Sequence, residues 1–375
     1  MSGAPAPVAT ARNAAATYHY LRVAIIGMTA MLVVAVLLED ADPASGVRLG
    51  SISASWYTPA QSIFVAVLVG TGAAMIAIRG RGMQEPLLNL AGFLAPVVAF
   101  VPTPEPVRET CFAQAQPPTL DAQQPPISGG PWDAQACAEW TDQVSSSLVA
   151  YFWVGSVALV LLLLFVLRRD RDPELVPTAA GGSWLRRLGR RFADTGFRQP
   201  SRNEEVVGTL VVVLVWVAGL LAYLLRHDWF LLHAHALAAI MVFAPMALVA
   251  LTSGLVGLWR RPDASRPHPV WGIAYLAVAV LMIVGVVATA GFKLFGWVTD
   301  ESRWFYWFEL AIVLGFLLFW TFQTVEERGA SVGRAAGGEG REGAPAEHGH
   351  AEEDGGDDAE ARLEPAADQR AEQQA

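Results

Sequence analysis

Eight apolar stretches of bilayer length constrain this chain more than any other feature: roughly Tyr20–Leu38, Pro59–Ile78, Leu87–Val101, Ser146–Leu167, Val206–Leu225, Leu231–Trp259, Val270–Leu294 and Trp304–Gln323. About 20 apolar residues in a helix cross a hydrocarbon core about 30 Å thick, and a helix satisfies its own backbone there. The predicted fold is therefore all-α, a polytopic transmembrane helical bundle of eight helices. Composition agrees, since 53% of the 375 residues are hydrophobic and 16% charged, a balance that excludes an ordinary soluble domain. The third stretch is short and contains Pro96, with Pro102 and Pro104 just beyond, so a re-entrant segment is the alternative to a full crossing there.

Arginine placement chooses between these alternatives, because Lys and Arg concentrate in cytoplasmic loops near span ends. With eight crossings and the N-terminus inside, 16 arginines ahead of the tail fall in inner segments, while the outer loops keep Arg48, Arg108, Arg226, Lys293 and Arg303. A third stretch that did not cross would turn the Arg-dense segment 168–204 outward. Both termini are thus expected to be cytoplasmic. The first stretch should remain as a signal anchor, being too long for a signal core and followed by Glu39-Asp40-Ala41-Asp42 rather than a small-residue cleavage site. One lysine against 25 arginines, with abundant Ala and Gly, fits a GC-rich bacterial coding sequence, and the expected membrane is the bacterial plasma membrane.

The formal charge of −9 resides in the tail, where residues 326–375 hold 14 Asp/Glu against five Arg; the remaining 325 residues carry 21 of each sign. The predicted organisation is a disordered cytoplasmic leader (1–19), a transmembrane body (20–325) and a disordered acidic cytoplasmic tail (326–375), which has too few large apolar residues to fold alone. Within the body, the outer loop 102–145 carries Cys111 and Cys137. A disulfide closing about 25 residues there would contribute roughly 3 kcal/mol in the chain-entropy model; two free thiols are the alternative. The inner loop 168–205 places Trp184, Leu185, Leu188 and Phe192 on one helical stripe opposite arginines, as for a helix lying on anionic lipid, although a protein partner could use the same surface. The bilayer is the expected partner and nucleic acid is not; protein partners are undetermined.

Polar residues bordering the spans collect toward the expected outer face, and charges placed there tend to face each other or a cavity. Lys293 and Glu309 lie eight positions either side of Glu301 in a helical hairpin, so they should share a depth and could form an ion pair, structural or functional. His227, Asp228, His233 and His235 crowd one turn and suggest zinc. However, His233 and His235 are two apart and would point about 200° from each other on a helix, so interfacial hydrogen bonding is the expected role and zinc the alternative. Ser51, Ser53 and Tyr57 lead into the second stretch, the serines sharing one side of an extended strand, with Thr58 a helix cap and Pro59 the first helical residue. Glu39 and Asp42 complete the polar rim. No nucleophile elbow, phosphate loop or twin-Cys motif occurs, and no catalytic residue is assigned.

The run Ser51-Ile52-Ser53-Ala54-Ser55-Trp56-Tyr57-Thr58-Pro59-Ala60-Gln61-Ser62-Ile63-Phe64-Val65, followed by Ile78-Arg79-Gly80 and Leu87-Leu88-Asn89-Leu90-Ala91-Gly92, resembles uncharacterised multi-pass membrane proteins of actinobacteria. In these a Ser-Ile-Ser segment ending in Tyr-Thr opens a helix that closes on Arg-Gly or Lys-Gly. The resemblance covers about half of the chain and implies no known activity. This sequence departs from it at Ser55-Trp56 and at Gln61. Ser53, Asp228 and the three histidines are also similar in type to the zinc site of seven-helix hydrolases related to alkaline ceramidases, but the paired histidines four apart are missing, so no catalytic role carries over.

Three functions remain open on the sequence. The leading expectation is a non-enzymatic protein that binds, senses or organises a lipid or envelope component at the outer face. The alternatives are a metal-dependent membrane hydrolase, with zinc the only cofactor suggested, and a small-solute or proton-coupled transporter.

Overall fold

The computed structural model describes residues 7–42, 48–78, 84–104, 111, 134–168, 202–259, 269–295 and 303–342. Among them eight α-helices follow in order: α1 Pro7–Ala41, α2 Gln61–Ala77, α3 Gln84–Phe100, α4 Ala134–Arg168, α5 Arg202–Leu225, α6 His227–Trp259, α7 Pro269–Phe295 and α8 Trp304–Glu342. A 3-10 helix, Ser53–Tyr57, precedes α2, and no strand occurs among the described residues. Six helices are long and apolar enough to cross a membrane; α2 and α3, with 17 residues each, are shorter apolar helices. The chain is an integral membrane protein.

The chain forms two compact units, Met1–Gly333 and Arg334–Ala375. In the second unit, helix to Glu342 is the described part. The expected lipid-facing stripe 184–192 and the acidic tail beyond 342 lie outside the described residues. Three boundaries differ most from the sequence expectation. Helix α1 begins at Pro7 rather than near Tyr20, α4 begins at Ala134 rather than near Ser146, within the expected outer loop 102–145, and α8 runs past 325 to Glu342. At α1 the apolar span nucleates a helix, and adjoining residues with good helix propensity, such as Ala9, Ala11 and Ala14–Ala16, extend it at little cost.

Helix α3 is the centre of the first unit. Leu88 and the run Ala91–Ala99 are buried, and α3 packs against α2, α4, α5 and α6. Sequestration by protein on most sides lets α3 carry Pro96. Proline removes the amide that would bond the Gly92 carbonyl, and at the neighbouring turn the Tyr151 hydroxyl of α4 donates to the Phe93 carbonyl. Around it, Trp216 of α5 meets Phe93, Tyr151 and Phe152 with ring centroids 6.2, 5.1 and 5.2 Å away, all edge to face. Its indole N–H donates to Ser156 Oγ at 3.1 Å. This aromatic cluster ties α4 and α5 to α3.

Helices α1 and α8 are stapled at two levels. Asp40 near the end of α1 pairs with Arg303 at the start of α8, and Arg22 pairs with Glu327. Arg22 and Asp40 are separated by about 27 Å of helix rise, close to the thickness of a hydrocarbon core. The two ion pairs therefore fit the two edges of the apolar layer, where charge is tolerated.

Small residues allow the closest helix crossings. A Cβ at Gly72 of α2 would lie 2.7 Å from the Gly92 carbonyl oxygen of α3, and the converse distance is also 2.7 Å. Because the obstacle is backbone, it cannot rotate away. Gly92→Ala is expected to cost about 1–3 kcal/mol by forcing the α2–α3 crossing apart. Gly27→Ala, which would meet nothing within 4 Å, should be neutral. Thermal unfolding of the two variants in the same detergent checks this.

Candidate functional site

At the end of the bundle where α1 terminates and α8 begins, the segment Leu49–Ala60 folds inward, with Leu49, Ile52, Ala54 and Trp56 buried. Its polar atoms are buried as well: Ser51 and Ser53 are 7% exposed and Ser55 is 0% exposed. Irregular backbone at such depth needs partners inside the protein. Glu309 of α8 supplies them. Its Oε2 accepts from the Ile52 amide at 2.6 Å and the Ser53 amide at 3.4 Å, and its Oε1 accepts from Ser53 Oγ at 3.2 Å.

These bonds explain why the serines do not form the extended strand expected from their alternation. The first amides of a helical turn point along its axis without internal partners, and a carboxylate placed there gathers them. Ser51 Oγ accepts the next amide, that of Ala54, at 3.0 Å. A 3-10 turn results. Helix α2 starts at Gln61 with Ala60 at its N-cap, so Thr58 and Pro59 stand ahead of the helix rather than at its cap and first position. Thr58 instead ties the turn together, donating its hydroxyl to the Ser55 carbonyl at 2.8 Å and accepting the Ala60 amide at 3.2 Å. Tyr57 donates its hydroxyl to the Thr103 carbonyl at 2.8 Å, fastening the turn to the chain leaving α3.

A second carboxylate anchors the other side. Asp40 Oδ2 accepts from Arg303 Nη2 at 2.5 Å, and its Oδ1 accepts from the Leu49 amide at 3.1 Å. The Arg303 guanidinium lies over the rings of Tyr306 and Trp307, 5.0 and 5.8 Å from their centroids. Glu39 is half-buried and Asp42 exposed on either side of Asp40. Sequence reasoning joined Glu309 to Lys293 and counted Arg303 only as an outer-loop charge. Lys293 is in α7, but its side chain lies outside the described ones. The missed signal was an arginine directly before an aromatic-rich helix start, opposite an acidic helix end.

The histidines turn to separate partners. Helix α6 begins at His227, with only Arg226 between it and the end of α5, so all three are helical. His227 Nε2 lies 3.4 Å from Ser145 Oγ of α4, with the ring edge-on to Tyr223 at 4.9 Å. His233 stacks on Trp229 at 4.8 Å, and its Nδ1 donates to the Trp229 carbonyl at 2.8 Å. His235 is buried, and its Nδ1 donates to the Val101 carbonyl at 2.6 Å. Asp228 is exposed in the first turn of α6, where a carboxylate favours the helix dipole. Among the described residues no group of three His, Cys, Asp or Glu side chains could hold a metal ion. Cys111 and Cys137 are joined by a disulfide.

Beside the inward turn, a cleft of about 250 Å³ lies between α2, α3 and α4. Its polar lining is Gln61, Ser62, Gln143 and Ser147, and its apolar lining is Trp56, Val65, Ala99 and Phe100. At the opposite end of the helices, Tyr275 donates to Glu326 Oε2 at 2.6 Å, and Arg328 Nε and Nη2 donate to His19 Nε2 at 3.0 and 2.6 Å. Together with Arg22–Glu327, this second polar cluster joins α1, α7 and α8.

Glu309→Ala leaves the Ile52 and Ser53 amides without their carboxylate, and a buried donor left unsatisfied costs about 1–3 kcal/mol. The variant is expected to unfold at lower temperature and to make the 49–58 segment cleavable by protease. Glu309→Gln, which keeps one carbonyl acceptor, should fall between it and wild type. Comparison of the chain with protein families, curated proteins and solved structures gives no match.

Proposed function

We propose that this integral membrane protein binds a lipid or envelope component at the end closed by the 49–58 segment. The single observation that carries the reading is the cleft beside that segment, lined by four amide or hydroxyl side chains and four apolar or aromatic ones. A pocket of mixed lining at a bundle end suits an amphiphile, whose polar part bonds to the carboxamides and whose chains continue along the apolar wall into the bilayer. The strongly polar groups nearby have structural partners: Glu309 and Asp40 hold backbone amides, and Tyr57 and His235 hold carbonyls. That use favours a rigid binding frame over hydrolysis or proton carriage.

In this reading all eight helices cross the bacterial plasma membrane with both termini in the cytoplasm, and the cleft opens toward the outer leaflet. The inward sorting of arginines supports the orientation. Helices α2 and α3 rise only about 25 Å each, and the buried segment ahead of α2 together with Val101–Pro104 after α3 makes up the remaining thickness. Protease added to sealed right-side-out vesicles should leave the C-terminal tail intact, and the same protease should remove it in inverted vesicles; the reverse pattern overturns the orientation.

Binding is tested by gentle extraction and native mass spectrometry. Wild-type protein should retain an amphiphile in about equimolar amount, whereas Ser62→Trp, a bulky change at an exposed position of the cleft, should lose it without loss of thermal stability. Equal lipid content in the two proteins would overturn the reading.

A further inference from the structure

The chemistry of the cleft wall selects among amphiphiles. Among the described residues, none that lines it is charged. Sites that recognise phosphate or carboxylate headgroups use arginine or lysine, often as a bidentate fork. The Arg303 guanidinium is engaged elsewhere, by Asp40 and two aromatic rings. A charged headgroup would have to leave water for a wall whose described residues offer no countercharge, at a cost that neutral dipoles offset only in part.

The groups present match hydroxyls. A carboxamide offers donors and an acceptor side by side, and each hydroxyl of a polyol both donates and accepts. Gln61 and Ser62 open α2, while Gln143 and Ser147 are four apart and share one face of α4, so the two pairs present such groups from two helices. Among the described residues nothing bonds the side-chain amides of Gln61 and Gln143 or the hydroxyl of Ser62. Ser147 donates its proton to the Gln143 carbonyl at 2.9 Å, which leaves its oxygen as an acceptor facing the cleft. Polar capacity of this kind, beside the aromatic surface of Trp56 and Phe100, suits a sugar ring with a hydroxylated rim and apolar faces. At about 250 Å³ the space is below the roughly 300–1,000 Å³ of pockets that enclose a whole drug-sized ligand. It therefore takes one headgroup unit and leaves the chains in the bilayer.

We infer that the cleft between α2, α3 and α4 binds the uncharged glycosyl headgroup of a membrane glycolipid, hydrogen-bonded by Gln61, Ser62, Gln143 and Ser147. This inference rests on the lipid-binding reading above and narrows it to one headgroup class.

The test uses full-length protein in mixed micelles with three lipids of matched chains: a monoglucosyl diacylglycerol, a phosphatidylglycerol and a diacylglycerol. Native mass spectrometry counts the lipid retained. The glucosyl lipid should be held about tenfold more tightly than either competitor, a difference of about 1.4 kcal/mol. The Gln61→Ala/Gln143→Ala double variant should lose that preference while its thermal stability stays at the wild-type value. If phosphatidylglycerol or diacylglycerol is retained as well as the glucosyl lipid or better, and Ser62→Trp abolishes that retention, the glycosyl inference falls and the lipid-binding reading stands. A glucosyl preference that survives in the double variant also overturns the inference. If wild type holds none of the three lipids and extracts without any native amphiphile, both fall.

Discussion

A stretch of backbone outside the α-helices and buried in a membrane bundle has amides that neither water nor a sheet neighbour will satisfy. In this protein the carboxylate of Glu309 meets that demand. By receiving the Ile52 and Ser53 amides it draws the segment ahead of α2 down onto α8, and Ser51 and Thr58 complete the turn from within. The rest of that end follows. Tyr57 reaches the chain leaving α3, Asp40 holds the entry at Leu49, and Trp56 becomes one wall of the cleft. Glu309 is thus a framework residue that positions a site without lining it.

Charge serves a different purpose along α1 and α8. Two ion pairs join these helices, one near each edge of the apolar layer, and the intervening faces are apolar. An ion pair at the rim of a membrane protein costs less to form than one at its centre, because water and headgroups share in solvating it. Pairing at both rims fixes the depth of α1 relative to α8 as well as their contact. Between the rims, packing relies on close approach at Gly72 and Gly92 and on the aromatic cluster around Trp216. Bilayer hydrocarbon gives apolar helices little reason to prefer each other, so shape complementarity of this kind decides which faces meet.

Much of the fold was legible because it is written locally. Each long helix corresponds to an apolar run, and the polar rim was found by asking where charged and hydrogen-bonding residues border those runs. Partner choice was less accessible. Equal spacing about a hairpin pointed to Lys293, whose side chain lies outside the described ones, as a partner for Glu309, and it gave no hint of backbone donors from elsewhere. The donors came from a segment 257 positions earlier in the chain. The histidines illustrate the opposite case. Their spacing disfavoured a shared ion, and the helix carries His233 and His235 to different partners, Trp229 on α6 itself and Val101 beyond α3.

By itself, the sequence determined that this chain forms apolar helices suited to a membrane and that its negative charge is concentrated in a tail. Those properties depend on run length and composition, which need no knowledge of neighbours. Tertiary structure alone decided that α3 is central, that the alternating serines make a 3-10 turn, and that Arg303 belongs to Asp40. It also decided that Gln61 and Ser62 share a cleft with Gln143 and Ser147. The reason is common to all of them. A buried polar group takes the nearest partner in space, and in a bundle of antiparallel helices nearness in space is set by packing between segments far apart in the chain.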